Sequence, residues 1–459
     1  MWVPAILLAA LVALSPLALG SNRPLPWAYN AVGAGVCLML VIAIALARPD
    51  RLRLDWRPIR VPVALALLVL VWIGVQAAPI GIEGLVHPNW RYSGDLLGSA
   101  PAGSISVDPA LTLQAAMRFA TVLSVFLAAC MLGRDRRIAA MLVWTLLAAG
   151  AAYAVYGLLG VSLSLDRILW YEQRATGYLT STFINRNSAA TYFGLASIMA
   201  FALLQRQLRR SLQTADGASW HVRIAAAAHR LAGPLGLTLG LFALVFCALL
   251  VTGSRAGIAF TVAGLATLIL LQLLRSRMRG RGAAGAGLAR FGYVVVLLAV
   301  IVALADMAGA RLAGRLIAGG LGQEARLTAY ADTAKAIADN ALVGTGYGTF
   351  EAVYPLYRSA QQITSIWDKA HNDYLELFLG LGVPAALALL AALAMIVARC
   401  AKGAFARRRD AHYPMVAVAA SVLVGLHALV DFSLQIEAVA MTYATILGIG
   451  TAQATTTGR

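Results

Sequence analysis

His371 stands in the run Trp367-Asp-Lys-Ala-His-Asn-Asp-Tyr374, with Asn372, Asp373 and Tyr374 adding polar groups beside it. An imidazole that titrates near neutrality can take a proton from a hydroxyl; the plainer role is a capping or packing histidine. Three arginine settings accompany it. Arg255 follows Thr252-Gly-Ser254 between two apolar runs. A tight turn there brings backbone N–H groups beside a guanidinium, which suits a phosphate; a lone interfacial arginine would instead extend to lipid headgroups. Arg326 lies within the helix-forming stretch from Glu324 to Asn340 and shares a face with Tyr330, four residues on. Arg186 lies between Asn185 and Asn187, amides that could bind a sugar or phosphate or cap a helix. Gly344-Thr-Gly-Tyr-Gly348 sets Tyr347 in a turn-rich segment. Arg311 and Arg315, four apart, read as a solvated or headgroup-facing edge. The sequence has no HExxH, no His/Cys cluster and no Asp-x-Asp in this region. A diphosphate leaving group needs positive charge in the transition state, from a metal or from arginines. The arginine-rich set points to the metal-free option, with no cofactor.

The elements that must hold these residues are apolar helices. Sixty per cent of the chain is hydrophobic and 12% charged, about half the charge of a soluble domain. Twelve apolar runs, near 3–20, 27–47, 61–78, 110–132, 138–163, 187–205, 233–252, 256–274, 291–309, 373–398, 414–430 and 437–452, approach the roughly twenty residues that cross a bilayer. They predict one polytopic membrane domain over residues 1–459. Met1-Trp-Val-Pro4 lacks a positive n-region, so the first run reads as a retained span rather than a signal peptide. Cys37, Cys130, Cys247 and Cys400 have no metal-ligand spacing and read as small packing residues. No internal repeat of fixed period is evident.

The net charge of +17 would suit nucleic acid, but its distribution explains it better. Alternate connections are basic: five arginines from Arg48 to Arg60, three at Arg134, Arg136 and Arg137, and five each over 206–230 and 275–290. Five more Lys or Arg follow from Arg399 to Arg409. Cationic loops stay in the cytoplasm, so both termini are expected there and nucleic acid is not an expected partner. The opposite, extracytoplasmic face carries Pro79–Pro109, expected to hold little regular structure, and Leu165–Arg186. It also carries the Gly253–Arg255 turn and a loop over residues 310–372, long enough to suggest function. In that loop Leu327, Tyr330, Ala334 and Ile337 recur at helical spacing, Asn340 is a plausible end, and Glu351–Arg358 is a second short helix. Asp368 is the expected N-cap of span ten, with His371 in its first turn and a kink at Pro384. His427, Asp431 and Glu437 form a second polar cluster behind the site, and Arg118 and Asp306 are the possible charges within spans.

Val251-Thr-Gly-Ser-Arg-Ala-Gly257, Arg326 followed by Asn340-Ala-Leu-Val-Gly-Thr-Gly-Tyr-Gly-Thr-Phe350, and His371-Asn-Asp-Tyr-Leu-Glu376 together resemble the O-antigen ligase superfamily, which includes Wzy-type polysaccharide polymerases. Asn185-Arg-Asn-Ser-Ala-Ala190 also fits. The Gly- and Tyr-rich stretch after Arg326 departs from the pattern. The resemblance implies an all-α, GT-C-like enzyme of the bacterial inner membrane with its active face periplasmic. The implied donor is an undecaprenyl-pyrophosphate-linked glycan. The acceptor is lipid A–core for a ligase, the preferred reading, or another lipid-linked glycan for a polymerase. By the same resemblance Arg255 and Arg326 bind the pyrophosphate, His371 is the base, and the anomeric centre inverts. Arg186, Asn185, Asn187, Tyr330, Tyr347, Asn372 and Tyr374 are the candidate substrate contacts. The competing class is a secondary transporter, which places polar groups near the bilayer midplane; here they gather outside the spans.

Overall fold

Proline and short polar residues mark where the helices begin. Pro24, Pro88, Pro109, Pro234 and Pro384 occupy the first or second helical position, where the missing N–H costs nothing. Asp108 caps one helix by accepting from the amides of Ala110 and Leu111 at 2.9 and 3.0 Å. Asp135 does the same for Arg137 at 2.7 Å. The computed structural model describes residues 1–49, 57–82, 84–99, 102–173, 177–213, 233–279, 321–360 and 367–454. Arg311, Arg315, Asp306 and the apolar run at 291–309 lie outside the described residues.

In chain order the helices are α1 (Trp2–Leu14), α2 (Pro24–Ala47), α3 (Arg60–Ala77), α4 (Pro88–Leu97), α5 (Pro109–Leu132), α6 (Arg136–Ser162), α7 (Arg186–Gln213), α8 (Pro234–Val251) and α9 (Arg255–Met278). They continue as α10 (Leu321–Asp339), α11 (Phe350–Tyr357), α12 (Asp373–Leu381), α13 (Val383–Ala406), α14 (His412–His427) and α15 (Glu437–Ala454). A two-stranded antiparallel ribbon, β1 (Arg167–Ile168) and β2 (Tyr171–Glu172), pairs Arg167 with Glu172 and Ile168 with Tyr171. Among the described residues eight helices are long and apolar enough to cross a membrane: α2, α3, α5, α6, α7, α8, α9 and α13. The protein is therefore an all-helical, multi-pass membrane protein. The helical parts of α1 and α14 are shorter, at 13 and 16 residues. Helix α15 has 18 residues but is interrupted by threonines and ends near Gln453. Its residues from Glu437 to Gln453 are all buried, so this helix faces protein rather than lipid. It packs chiefly on α5 and α14, with Gly448 against Ala129 and Gly450 against Ala417. Small residues let these backbones approach closely. On α2 and α3, by contrast, Met39, Leu46, Leu68 and Val71 are exposed, as a lipid-facing surface requires.

Several expectations are corrected. Pro79–Pro109 contains α4, begun by His87, whose Nδ1 accepts from the Asn89 amide at 3.3 Å, and ended by left-handed Gly98. The apolar run at 373–398 is two helices. The break falls at Gly382 (φ +77), and Pro384 starts α13 instead of kinking a continuous span. The N-cap of α12 is Asn372, not Asp368, because the Asn372 Oδ1 accepts from Tyr374 and Leu375 amides at 3.0 and 3.1 Å. His371 thus precedes the helix. Helix α10 ends at Asp339 before Asn340 as the composition predicts, but its buried face is Ala329, Asp332, Thr333 and Ala336. Leu327 is exposed. Small and polar side chains fit this interface, and hydrophobicity alone points the helix the wrong way. The second short helix, α11, lies where it is expected.

The glycine-rich turn after α10 fastens the long loop to the α12–α13 break. Thr345 and Gly346 amides donate to the carbonyls of Leu379 and Gly380 at 3.0 and 3.1 Å, and Val383 N–H to Ala341 at 2.7 Å. Gln76, fully buried in apolar α3, closes this junction. Its Nε2 donates to the Val343 and Gly380 carbonyls at 2.7 and 2.8 Å, and its Oε1 accepts from the Tyr347 amide at 3.2 Å. Replacement Gln76→Leu removes all three; the Gly380 carbonyl keeps the Gly346 amide, but the Val343 carbonyl and the Tyr347 amide lose this partner, at about 1–3 kcal/mol each. The expected outcome is a lower thermal unfolding midpoint in detergent and poorer accumulation; an unchanged midpoint would mean water replaces the amide at no cost.

Candidate functional site

Asn185 and Ser254 begin the two long helices that bring the sequence motifs together. Asn185 Oδ1 accepts from the Asn187 amide at 2.8 Å at the start of α7. Ser254 Oγ accepts from the Gly257 amide at 3.3 Å at the start of α9. Gly253 has φ +60, and a Cβ there would lie 2.6 Å from the Tyr178 ring, so the turn before Arg255 needs glycine. Arg186 stacks over the same ring, 4.2 Å from its centroid.

A hydrogen-bond chain then links three separate segments. Ser254 Oγ donates to Asn187 Oδ1 at 2.9 Å, and Asn187 Nδ2 donates to Asp431 Oδ1 at 3.0 Å. Asp431 Oδ1 lies 3.9 Å from His371 Nδ1, an ion-pair distance when the ring is protonated and longer than a hydrogen bond. Ser433 Oγ also donates to Asp431. Asp431 is fully buried. Burial pushes its carboxyl up, but His371, His427, Ser433 and Asn187 outweigh burial and hold it below the ordinary carboxylate value. Its charge faces His371 Nδ1, which makes no hydrogen bond among the described residues.

The backbone of His371 is left-handed, with φ +53, an uncommon conformation for a residue with a side chain. Its surroundings over-determine it. Tyr330 Oη donates to the His371 carbonyl at 2.9 Å. The Ala370 amide donates to Glu376 Oε1 at 2.7 Å, and the Asp373 amide to the Ala428 carbonyl at 2.8 Å. The ring meets Phe432 and Trp367 edge-on, at centroid distances of 5.0 and 6.0 Å. Strain of this kind clusters at functional positions.

His371 opens on a cavity of about 710 Å³. Arg23, Arg118, Arg186 and Lys369 supply positive charge to its lining, and Glu351 and Asp368 supply negative charge. Trp27, Tyr178, Ile184 and Phe432 make its apolar wall. Of the residues singled out from sequence, His371, Arg186 and Asn185 line this cavity. The others stand around it in different ways. Asn187 bridges Ser254 and Asp431, Asn372 caps α12, and Tyr374 Oη donates to the Gly425 carbonyl at 2.9 Å. Tyr347 packs edge-on against Phe119 at 6.4 Å. Arg255, the first residue of α9, and Arg326 have exposed side chains and are absent from the lining. Arg326 stands one turn before Tyr330, about 6 Å along α10. The polar cluster of His427, Asp431 and Glu437 divides. Asp431 belongs to His371, whereas His427 Nδ1 shares a hydrogen bond with Thr191 Oγ1 at 2.6 Å and Glu437 accepts from Asn30 at 2.8 Å.

Sequence reading missed Arg23, Trp27 and Gln435 as cavity residues and gave Arg118 no role in the site. Arg118 in α5 donates to the Gln435 carbonyl and stands 4.5 Å from the Trp27 ring centroid. The usable signal was its presence within an apolar run, where a charge is costly and usually faces a cavity.

A family model described as O-antigen ligase (Wzy_C) matches residues 240–390. The chain carries an O-antigen ligase domain. The match runs from α8 into α13 and includes Arg255, Arg326, the glycine-rich turn and His371. The match supports the O-antigen ligase superfamily, whose members are membrane glycosyltransferase-like ligases and polymerases of lipopolysaccharide and polysaccharide synthesis. Two partners of the O-antigen ligase domain's histidine, Asn187 and Asp431, lie outside the matched segment, one on each side of it. No curated protein matches the chain in sequence.

Proposed function

We propose that the protein is an inverting, metal-independent glycosyltransferase that moves a glycan from undecaprenyl pyrophosphate to an acceptor sugar hydroxyl. The observation that carries this reading is His371, backed by buried Asp431, opening on the cavity that also holds Arg23, Arg118, Arg186 and Lys369. The acceptor hydroxyl gives its proton to His371 Nε2, and its oxygen attacks the anomeric carbon. The bond from that carbon to the diphosphate oxygen breaks, and the diphosphate departs with its charge met by the cationic side chains. The leaving group needs no proton, so the paired carboxylates of a glycosidase are not required. Asp431 holds the imidazole and its acquired charge. Arg255 and Arg326 meet the diphosphate from outside the enclosed lining, and the apolar wall accepts the first isoprene units. The preferred acceptor is lipid A–core. Both termini are cytoplasmic, and the active face, including the loop over residues 310–372, is periplasmic in the inner membrane.

The test uses purified full-length protein, an undecaprenyl-pyrophosphate-linked glycan, and lipid A–core present or absent, all in EDTA. A glycan ladder that requires lipid A–core is the expected result. Chain growth without lipid A–core would replace the ligase by a polymerase. Transfer that stops in EDTA and returns with a divalent ion would overturn the metal-free mechanism. No transfer in any mixture would overturn the enzyme reading.

A further inference from the structure

A second cavity, of about 800 Å³, lies at the far end of the helices that carry the site. Arg206 is twenty residues along α7 from Arg186, and Arg275 twenty residues along α9 from Arg255, about 30 Å in each case. Six arginines line it: Arg136 from α6, Arg206 from α7, Arg275 from α9, Arg279 just past its end, and Arg408 and Arg409 from the α13–α14 turn. Asp410 is the one carboxylate among the lining residues. It is shared by Arg136 at 3.1 Å and Arg206 at 3.4 Å. Arg275 donates to the carbonyls of Ala404 and Arg407, and Arg279 to that of Arg407 at 2.7 Å. These bonds tie the end of α9 to the end of α13 and fix the cavity wall. Arg408 and Arg409 keep their side chains exposed.

Loops with many arginines serve topology at this end of a membrane bundle, but that needs only charge and not an enclosed space. Here side chains from three helices and a turn converge on one volume with a single carboxylate, within the size range of ligand pockets. Guanidinium groups match phosphate oxygens in charge and in paired hydrogen-bond geometry. Basic pockets between membrane helices hold anionic headgroups for the same reason. We propose that this cavity is a binding site for a phosphate-bearing anion carrying at least two negative charges, distinct from the His371 cavity and independent of its chemistry. Such an anion reaches it either as a diphosphatidyl lipid headgroup or as a free diphosphate.

The test compares full-length protein in phosphatidylcholine nanodiscs, in nanodiscs with added cardiolipin, and in phosphatidylcholine nanodiscs titrated with inorganic pyrophosphate. Binding is read by equilibrium titration and by the thermal midpoint. The double variant R408S/R409S is the main probe. The fold uses the Arg408 carbonyl, which accepts from Arg275 at 3.3 Å, and serine preserves it. Arg206→Gln is the second probe. Arg137→Gln, exposed beside Arg136 but outside the lining, is the control. Wild type should bind at least one probe, the double variant about tenfold more weakly, and Arg137→Gln unchanged. Binding of cardiolipin alone identifies a lipid headgroup, and binding of pyrophosphate identifies a soluble anion. The site is overturned if wild type binds neither, if R408S/R409S and Arg206→Gln bind as tightly as wild type, or if Arg137→Gln weakens binding as much as R408S/R409S.

Discussion

His371→Gly should abolish most glycan transfer while leaving the fold near wild-type stability. Removing a positioned general base lowers the rate by roughly a hundredfold to ten-thousandfold. The stability effect has two opposing parts. Glycine adopts φ +53 without strain, a gain of roughly 1–2 kcal/mol. The lost edge contacts to Phe432 and Trp367 offset it by about 0.5–1.5 kcal/mol each. A thermal midpoint close to wild type, measured beside a transfer assay, therefore separates chemistry from folding. Asp431→Asn keeps the volume and the Asn187 and Ser433 neighbours but removes the charge that holds the imidazole. Its rate should fall between wild type and His371→Gly. Transfer by His371→Gly within a few-fold of wild type would remove the base assignment, and a collapsed midpoint would make His371 a structural residue.

Gly344→Ala is expected to be the most destabilising small substitution in the long loop. Gly344 has φ +70, and a Cβ there would sit 2.4 Å from the Gly380 carbonyl oxygen and 2.5 Å from the Gly382 nitrogen. Those atoms are backbone at the α12–α13 break and cannot rotate away. Left-handed strain and overpacking together cost about 2–6 kcal/mol. The cost should appear as a fall in the unfolding midpoint and in membrane accumulation. Gly74→Ala is the control, because nothing lies within 4 Å of its added methyl and alanine favours the helix. Equal midpoints for the two variants would mean that the turn moves aside and is not the fastening that the hydrogen bonds describe. Because α12 follows Asn372 directly, a loosened break also frees His371, so activity should fall with stability.

The sequence by itself determined the membrane class, the helical starts at prolines and short polar residues, and the short list containing His371 and Arg186. Those features are local. Apolar run length, capping chemistry and residue type do not depend on what packs against them. It did not determine the direction of α10, where Leu327 faces out and small residues face in. Nor did it show that Gln76, in an apolar run, pairs with a carbonyl and an amide of the loop and a carbonyl of α12, all more than 260 residues away. Only the tertiary structure joined Ser254, Asn187, Asp431 and His371 into one chain and brought Arg23 and Arg118 to the same cavity. It also showed that Asn372 and Asn185 make capping bonds, which residue type alone does not distinguish from substrate contacts. The physical reason is the same in each case. A polar side chain has the same donors and acceptors wherever it stands, and only the groups that folding brings within hydrogen-bond reach decide which of them are used.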